Sequence, residues 1–165
     1  NARIEAEDGD FSLFVQALGE IAAAMARLIA ADGEGATKLL ECRVRNANSV
    51  ETARAVAKAV VMSNLVKAAM FGADANWGRI LCAIGYARAD FSIETIDVYL
   101  SSPKGAIMVC RSGCGVAFDE EEAKQILSEA EIIIDVRMGQ GTCAATAWGC
   151  DLTYDYVKIN GDYRT

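Results

Sequence analysis

The stretch DEEEAKQILSEAEIIIDVRM, residues 119–138, joins a helix pattern directly to a strand and sets the fold class. Asp119 and the three glutamates after it suit the positive end of a helix, which predicts a helix over Asp119–Ala130. From Ile132 to Met138 the texture is that of a strand. Further strands are expected at Thr95–Leu100, Ala106–Cys110 and Cys143–Trp148. Gly139-Gln140-Gly141-Thr142 reads as a hairpin turn between the last two strands.

Toward the N-terminus the chain turns helical. Over Asp10–Ala31, Phe11, Phe14, Leu18, Ile21, Met25, Leu28 and Ile29 recur at helical spacing, with Asp10 as the expected N-cap. Leu39–Val44 reads as a strand. Ser49 then caps a second helix, with Thr52 following and Val56, Val60 and Val61 along one face. A short helix is expected over Leu65–Phe71 and another over Trp77–Tyr86, with Ile80, Leu81 and Ile84 buried. A helix-rich first half and a mixed sheet with helices in the second half give an α+β fold. The change of texture near Asp90 reads as a subdomain edge without linker chemistry. No internal repeat or low-complexity segment is present.

The 165 residues suffice for one well-buried domain, and apolar and charged shares of 53% and 24% are ordinary globular usage. The single proline, Pro103, speaks against Pro-rich linkers. A net charge of −7 with no Lys/Arg cluster speaks against nucleic acid, whose phosphates need a cationic face. The most apolar run, Ile21–Ala31, is short and interrupted by Arg27, whereas a bilayer span needs roughly 20 apolar residues, so no membrane partner is expected. The acidic start, Asn1–Asp8, does not read as a signal peptide. It lacks an initiator Met, and the expectation is a processed or truncated piece of something longer.

Six cysteines raise the question of disulfides or zinc. Cys110 and Cys114 have a zinc-compatible spacing, but no second close pair follows. Cys42, Cys82 and Cys143 sit among small or apolar neighbours and read as core hydrophobes. Reduced thiols, no metal and a cytoplasmic location are therefore expected. There is no histidine, which removes any Ser-His-Asp or Cys-His machinery supplied by this chain alone. An enzyme built on it would take its base from a carboxylate, a lysine, an amine or another chain.

Three segments invite chemistry. Asp32-Gly33-Glu34-Gly35-Ala36-Thr37-Lys38 is polar and glycine-flanked between two apolar elements. It reads either as a helix C-cap and turn or as a loop offering the Glu34 carboxylate to an ammonium; it lacks phosphate-loop spacing. In Gly72–Arg79, Asp74 or Asn76 suits an N-cap and Arg79 suits a carboxylate partner. The third segment is the C-terminal one. Tyr154, Tyr156, Val157 and Ile159 give it an apolar surface to dock with, and docking would fix the Asn160 amide, Arg164 guanidinium and Thr165 hydroxyl. The plainer alternative is an ordinary helix or strand end with a solvated tail.

The motifs DGEGATK (32–38), GADANWGRILCAIGYA (72–87), AWGCDLTYDYVKIN (147–160) and the terminal YRT (163–165) together resemble the ornithine acetyltransferase family, the glutamate N-acetyltransferases of arginine biosynthesis known as ArgJ. The resemblance runs from about Ala17 to Thr165 and is specific, because four separate motifs occur in order. It implies a precursor that cuts itself into α and β chains assembled as an α2β2 heterotetramer with a DmpA/ArgJ-like αββα architecture. The β N-terminal threonine would be the acyl-accepting nucleophile. That threonine is absent here, so residues 1–165 are expected to be the C-terminal portion of β, with no catalytic residue of their own. Carried over residue by residue, the resemblance matches Glu34, Asn160 and Thr165 to substrate-binding positions, and it implies no equally firm role for Asp74, Asn76 or Arg79.

The implied reaction moves acetyl from N-acetylornithine to glutamate in a ping-pong cycle, without a cofactor, and leaves open acetyl-CoA as a second donor. An N-terminal threonine activated by its own amine needs no histidine. Two alternatives use the same polar tail: a non-catalytic amino-acid-binding module, and a self-processing aminopeptidase or amidase.

Overall fold

The computed structural model describes residues 3–163. The order of elements is α1 (Gly9–Ala31), β1 (Leu39–Ala47), α2 (Val50–Met62), α3 (Asn64–Phe71), α4 (Trp77–Gly85), a 3-10 turn (Ile93–Thr95), β2 (Asp97–Ser102), β3 (Gly105–Arg111), β4 (Cys114–Gly115), α5 (Glu120–Leu127), β5 (Glu131–Arg137), β6 (Cys143–Cys150) and α6 (Tyr154–Asp162). The α+β expectation holds. Among the described residues, six α-helices accompany one mixed sheet of six strands, ordered β4-β3-β2-β5-β1-β6.

The middle of that order differs from the sequence reading. β1 lies between β5 and β6, parallel to the first and antiparallel to the second, so Gly139–Thr142 is not a hairpin turn. The segment instead crosses the end of β1: Met138 N–H donates to Arg45 O at 2.9 Å and Gln140 N–H to Asn46 O at 2.8 Å. The turn signal is local, whereas strand order is decided by remote pairing. Leu40, Cys42 and Val44 sit opposite Ile132, Ile134 and Val136, and all six are fully buried.

This alternation divides the sheet into two faces. One carries the core, with α2 against β1 and β6, α5 against β2 and β3, and α3 and α4 packed on α2. Elements from both sides of Asp90 share this core. The other face carries Glu41, Arg43, Arg45, Asp135 and Arg137. Arg43 pairs with Glu41 at 2.5 Å, Arg45 and Arg137 both reach Asp135 at 3.2 Å, and Arg137 lies 4.2 Å over the Tyr99 ring. Among the described residues, helices α2 to α5 leave this charged face open.

Helix ends follow their caps. Ser49 Oγ accepts the Thr52 N–H at 3.0 Å, and α2 buries Ala53, Val56, Ala57, Val60 and Val61 as its periodicity predicts. Asp119 Oδ1 accepts the N–H groups of Glu121 and Glu122 at 2.8 and 3.0 Å. That helix stops at Leu127 rather than Ala130, and Ser128 Oγ donates back to Lys124 O at 2.6 Å. Ile80, Leu81 and Ile84 of α4 are buried as expected.

α1 departs from expectation at its cap. Its cap is Asp8, not Asp10, and none of its residues is buried. Leu13, Phe14, Leu18, Ile21, Met25, Leu28 and Ile29 are all exposed in this chain. By length and composition alone the 23-residue helix is long and apolar enough to cross a membrane, a property that the run Ile21–Ala31 does not reveal. The same composition serves equally as a face that packs on another protein surface.

The cysteines are free thiols in varied settings. Cys42 is buried, and burial first, then the Asp135 charge, pushes its thiol far above the ordinary value. Cys143 is half-buried and packs against the core, but Cys82 is exposed and is not the core residue its small neighbours suggested. Apolar sequence neighbours fix burial only when they share the residue's face: Ala83 and Leu81 turn inward on α4 while Cys82 turns out. Among the described residues, no group of three or more His, Cys, Asp and Glu is placed to hold a metal.

Candidate functional site

The loop between α1 and β1 meets the segment between β6 and α6, and among the described residues this junction holds five of the six side-chain hydrogen bonds that span more than 100 positions. Asp151, directly after β6, is only 3% exposed. Its Oδ1 accepts the Thr37 N–H at 2.8 Å and the Lys38 N–H at 3.1 Å, and its Oδ2 accepts the Thr37 hydroxyl at 2.5 Å. Asp151 N–H returns a bond to Lys38 O at 3.1 Å. A carboxylate so enclosed is stable only because three donors replace its water.

Lys38 extends the opposite way. Its Nζ donates to Met70 O at 2.7 Å, Phe71 O at 3.3 Å and Leu127 O at 2.7 Å. These carbonyls lie at the ends of α3 and α5, where helices leave acceptors unsatisfied and the dipole favours a cation. Burial lowers the Lys38 pKa from its ordinary value, and the Asp151 carboxylate opposes that shift.

One turn earlier the loop is held again. Thr153 Oγ donates to Gly35 O at 2.6 Å and accepts the Tyr156 N–H at 3.2 Å, so a single hydroxyl caps α6 and binds the loop. Gly35 has φ +66°, and a Cβ there would stand 2.8 Å from the Tyr156 nitrogen. Only glycine allows that approach without strain.

On this support, Asn160 Nδ2 donates to Glu34 Oε2 at 2.5 Å and to Tyr156 O at 3.0 Å. Two of the three sequence-expected site residues are thus brought together across 126 positions. The third, Thr165, lies outside the described residues, as does Arg164. An exposed carboxylate beside an exposed primary amide can accept an ammonium and donate to a carboxylate. A cleft of about 330 Å³ opens beside the start of α6, lined by Phe71, Gly72, Leu152, Thr153, Tyr154 and Val157.

α6 is anchored differently from the expectation. The apolar side chains thought to dock it are largely outward, with Tyr154 82% and Val157 62% exposed. Tyr154 makes only an edge contact with Phe71, ring centroids 5.5 Å apart. Polar contacts at Asp151 and Thr153 hold the segment instead. The sequence reading missed this pair and the reach of Lys38. Thr153 was the available signal: a threonine before a helix whose first turn carries Asp155 suits a cap.

The segment 72–79 makes a local structure. Asn76 Oδ1 accepts the Arg79 N–H at 3.2 Å as the N-cap of α4, and Asn76 Nδ2 donates to Asp74 Oδ2 at 3.1 Å. Arg79 Nη1 donates to Leu65 O at 3.2 Å rather than to the carboxylate expected, because α4 runs beside the start of α3. A further hollow of about 430 Å³ on the charged sheet face includes Arg27, Glu41, Arg43 and Glu131. Its charges neutralise one another as Arg27–Glu131 and Arg43–Glu41 pairs, both at 2.5 Å.

Comparison with known proteins bears on the whole chain. A model of the ArgJ family matches residues 1–165. The chain is 56% identical to the arginine biosynthesis bifunctional protein ArgJ of Caldanaerobacter subterraneus subsp. tengcongensis, over 100% of this chain and 41% of that protein. It is 50% identical to arginine biosynthesis bifunctional protein ArgJ 1 of Clostridium acetobutylicum, over 100% of this chain and 40% of that one. The crystal structure of arginine biosynthesis bifunctional protein ArgJ from Bacillus halodurans superposes with a TM-score of 0.89 at 46% identity, over 99% of this chain and 75% of that chain. The chain spans about 40% of the length of the curated relatives it matches.

Proposed function

The chain belongs to the ArgJ family, and on that premise we propose that it is part of a glutamate N-acetyltransferase that moves acetyl from N-acetylornithine to glutamate. The observation that carries this reading is the Glu34–Asn160 contact at 2.5 Å, held by the buried Asp151 and Thr153. Glu34 suits the side-chain ammonium of ornithine, and Asn160 suits a substrate carboxylate. Thr165 is the third recognition group.

The chemistry runs through an N-terminal threonine outside this stretch. The threonine hydroxyl attacks the acetyl carbon, its own α-amine taking the proton. An ester C–O bond forms, the amide C–N bond breaks, and the leaving amine takes up a proton to depart as ornithine. The glutamate amine then attacks the ester, and the threonine hydroxyl is restored. Acetyl-CoA is an alternative donor to the same hydroxyl, and no cofactor is needed. The enzyme acts in the cytoplasm.

Assembly with an α chain from the same precursor, as α2β2, is supported by three features. The exposed apolar side of α1 and the open charged face of the sheet are surfaces of the kind a second layer covers. Trp148 Nε1 is buried yet has no acceptor among the described residues. The chain also covers 75% of the solved Bacillus halodurans chain but only 41% of the Caldanaerobacter relative, so the solved chain is much the shorter of the two. A precursor delivered as two chains accounts for that difference.

The test is product analysis with the full-length enzyme. N-acetylornithine alone should release one ornithine per active site and leave the acetyl group on the protein as an ester; added glutamate should discharge it as N-acetylglutamate. Steady release of acetate without glutamate would make the protein an amidase instead. Binding without any turnover would make it a binding module.

A further inference from the structure

Glu34 and Asn160 do not hold each other in place unaided, because both are exposed to water and joined by one side-chain bond. Their spacing descends from a deeper contact. The loop that carries Glu34 ends at Thr37 and Lys38, whose N–H groups and hydroxyl converge on Asp151 at 2.8, 3.1 and 2.5 Å. The helix that carries Asn160 begins two residues after Asp151, at the Thr153 cap, which also binds Gly35 O at 2.6 Å. Lys38 Nζ ties the same point to the ends of α3 and α5 through Met70 O and Leu127 O, both at 2.7 Å. The two recognition groups therefore hang from one clasp centred on the buried Asp151.

We propose that Asp151, with Thr37 and Lys38, is a positioning residue that sets the Glu34–Asn160 spacing and so tunes affinity for the amino-acid substrate. The inference rests on the reading of that corner as the recognition site. A clasp serving stability alone would need only to keep the loop attached. The one observed also fixes both sides of the corner from a single carboxylate. Misplacement of a recognition group costs affinity even when every group is present. Because the clasp acts on a group that binds substrate, loosening it should raise KM more than it lowers kcat.

The experiment is a double-mutant cycle in the full-length enzyme, read as KM and kcat for N-acetylornithine well below the melting temperature. Thr37→Val removes the hydroxyl bond to Asp151 while keeping shape and both backbone bonds; Thr37→Ser keeps the hydroxyl. Thr37→Val should raise KM about tenfold with kcat and self-cleavage retained, and Thr37→Ser should restore it. Combined with Glu34→Gln, Thr37→Val should add little further, since it acts through Glu34. Wild-type KM in Thr37→Val alongside a lowered melting temperature would reduce the clasp to a structural tie and overturn the proposal. Fully multiplicative effects in the double variant would overturn it too. An unaltered KM in Glu34→Gln alone would remove the recognition reading itself, and this inference with it.

Discussion

Two loops of this chain have nearly the same local chemistry and opposite reach. Residues 32–38 and 72–77 both follow a helix, and both are glycine-bearing and rich in Asp, Asn or Glu. The second closes on itself: Asp74 N–H meets Ala69 O at 2.9 Å, Asn76 N–H meets Asp74 O at 2.8 Å, and Asn76 caps the next helix. The first is held from more than a hundred positions away, by Asp151, Thr153 and Asn160. A loop satisfied by its neighbours is a turn. A loop satisfied by remote segments is a place where two parts of the chain are brought to a common point, and polar groups left at its surface are free to meet a ligand.

The contrast breaks most sharply at its anchors. Asp151→Ala strips three donors of their acceptor and removes the counter-charge of Lys38; the expected loss is on the order of 3 kcal/mol, read as a fall in the melting temperature of the full-length enzyme. A fall no larger than that for Asn76→Ala would show that the remote loop is held no better than the local one. Next come the glycines. Gly35→Ala forces a side chain into φ +66° and against the Tyr156 nitrogen, and should cost about 2 kcal/mol. Gly72→Ala, with φ −77° and no neighbour within 3.5 Å of the added Cβ, should stay within about 1 kcal/mol of wild type. Melting curves for the pair test the difference directly.

Asn76→Ala should cost about 1 kcal/mol, the usual value of a lost N-cap, and leave kinetics untouched. The smallest effect is in pH. The folded Lys38 pKa lies below its unfolded value of 10.5, so the unfolded chain binds more protons between the two, and folding gains stability from this group as pH rises through that window. Lys38 is only partly buried, so the gain is small. Wild type minus Lys38→Met, measured as stability against pH up to 10.5, should slope upward; a flat or falling difference would contradict the burial of its charge.

The sequence made some of this legible and hid the rest for physical reasons. The helix at 50–62 was readable because Ser49, Thr52 and the valine face all lie within one local pattern. Glu34 and Asn160 were singled out through the motifs that carry them, but their meeting across 126 positions was not visible in either motif. Strand order was not, because the turn at 139–142 obeys hairpin chemistry while β1 takes the place a hairpin would fill. The clasp was hidden for the same reason. Nothing beside Asp151 announces that its partners are Thr37 and Lys38, and a lone carboxylate between a cysteine and a leucine looks like any surface charge. α1 misled in another way: its periodicity is real, but the surface it fits is not supplied by the other described residues.

The central claim, that the remotely held loop presents Glu34 to a substrate ammonium, is tested most directly by the KM for N-acetylornithine in full-length Glu34→Gln. Glutamine keeps the shape and an acceptor for Asn160 but not the charge. Loss of a charged hydrogen bond costs about 1.5–3 kcal/mol, so the account predicts a rise in KM of roughly tenfold to a hundredfold, with self-cleavage intact. A KM equal to that of the wild-type enzyme would contradict it and leave residues 32–38 a turn like the one at 72–77.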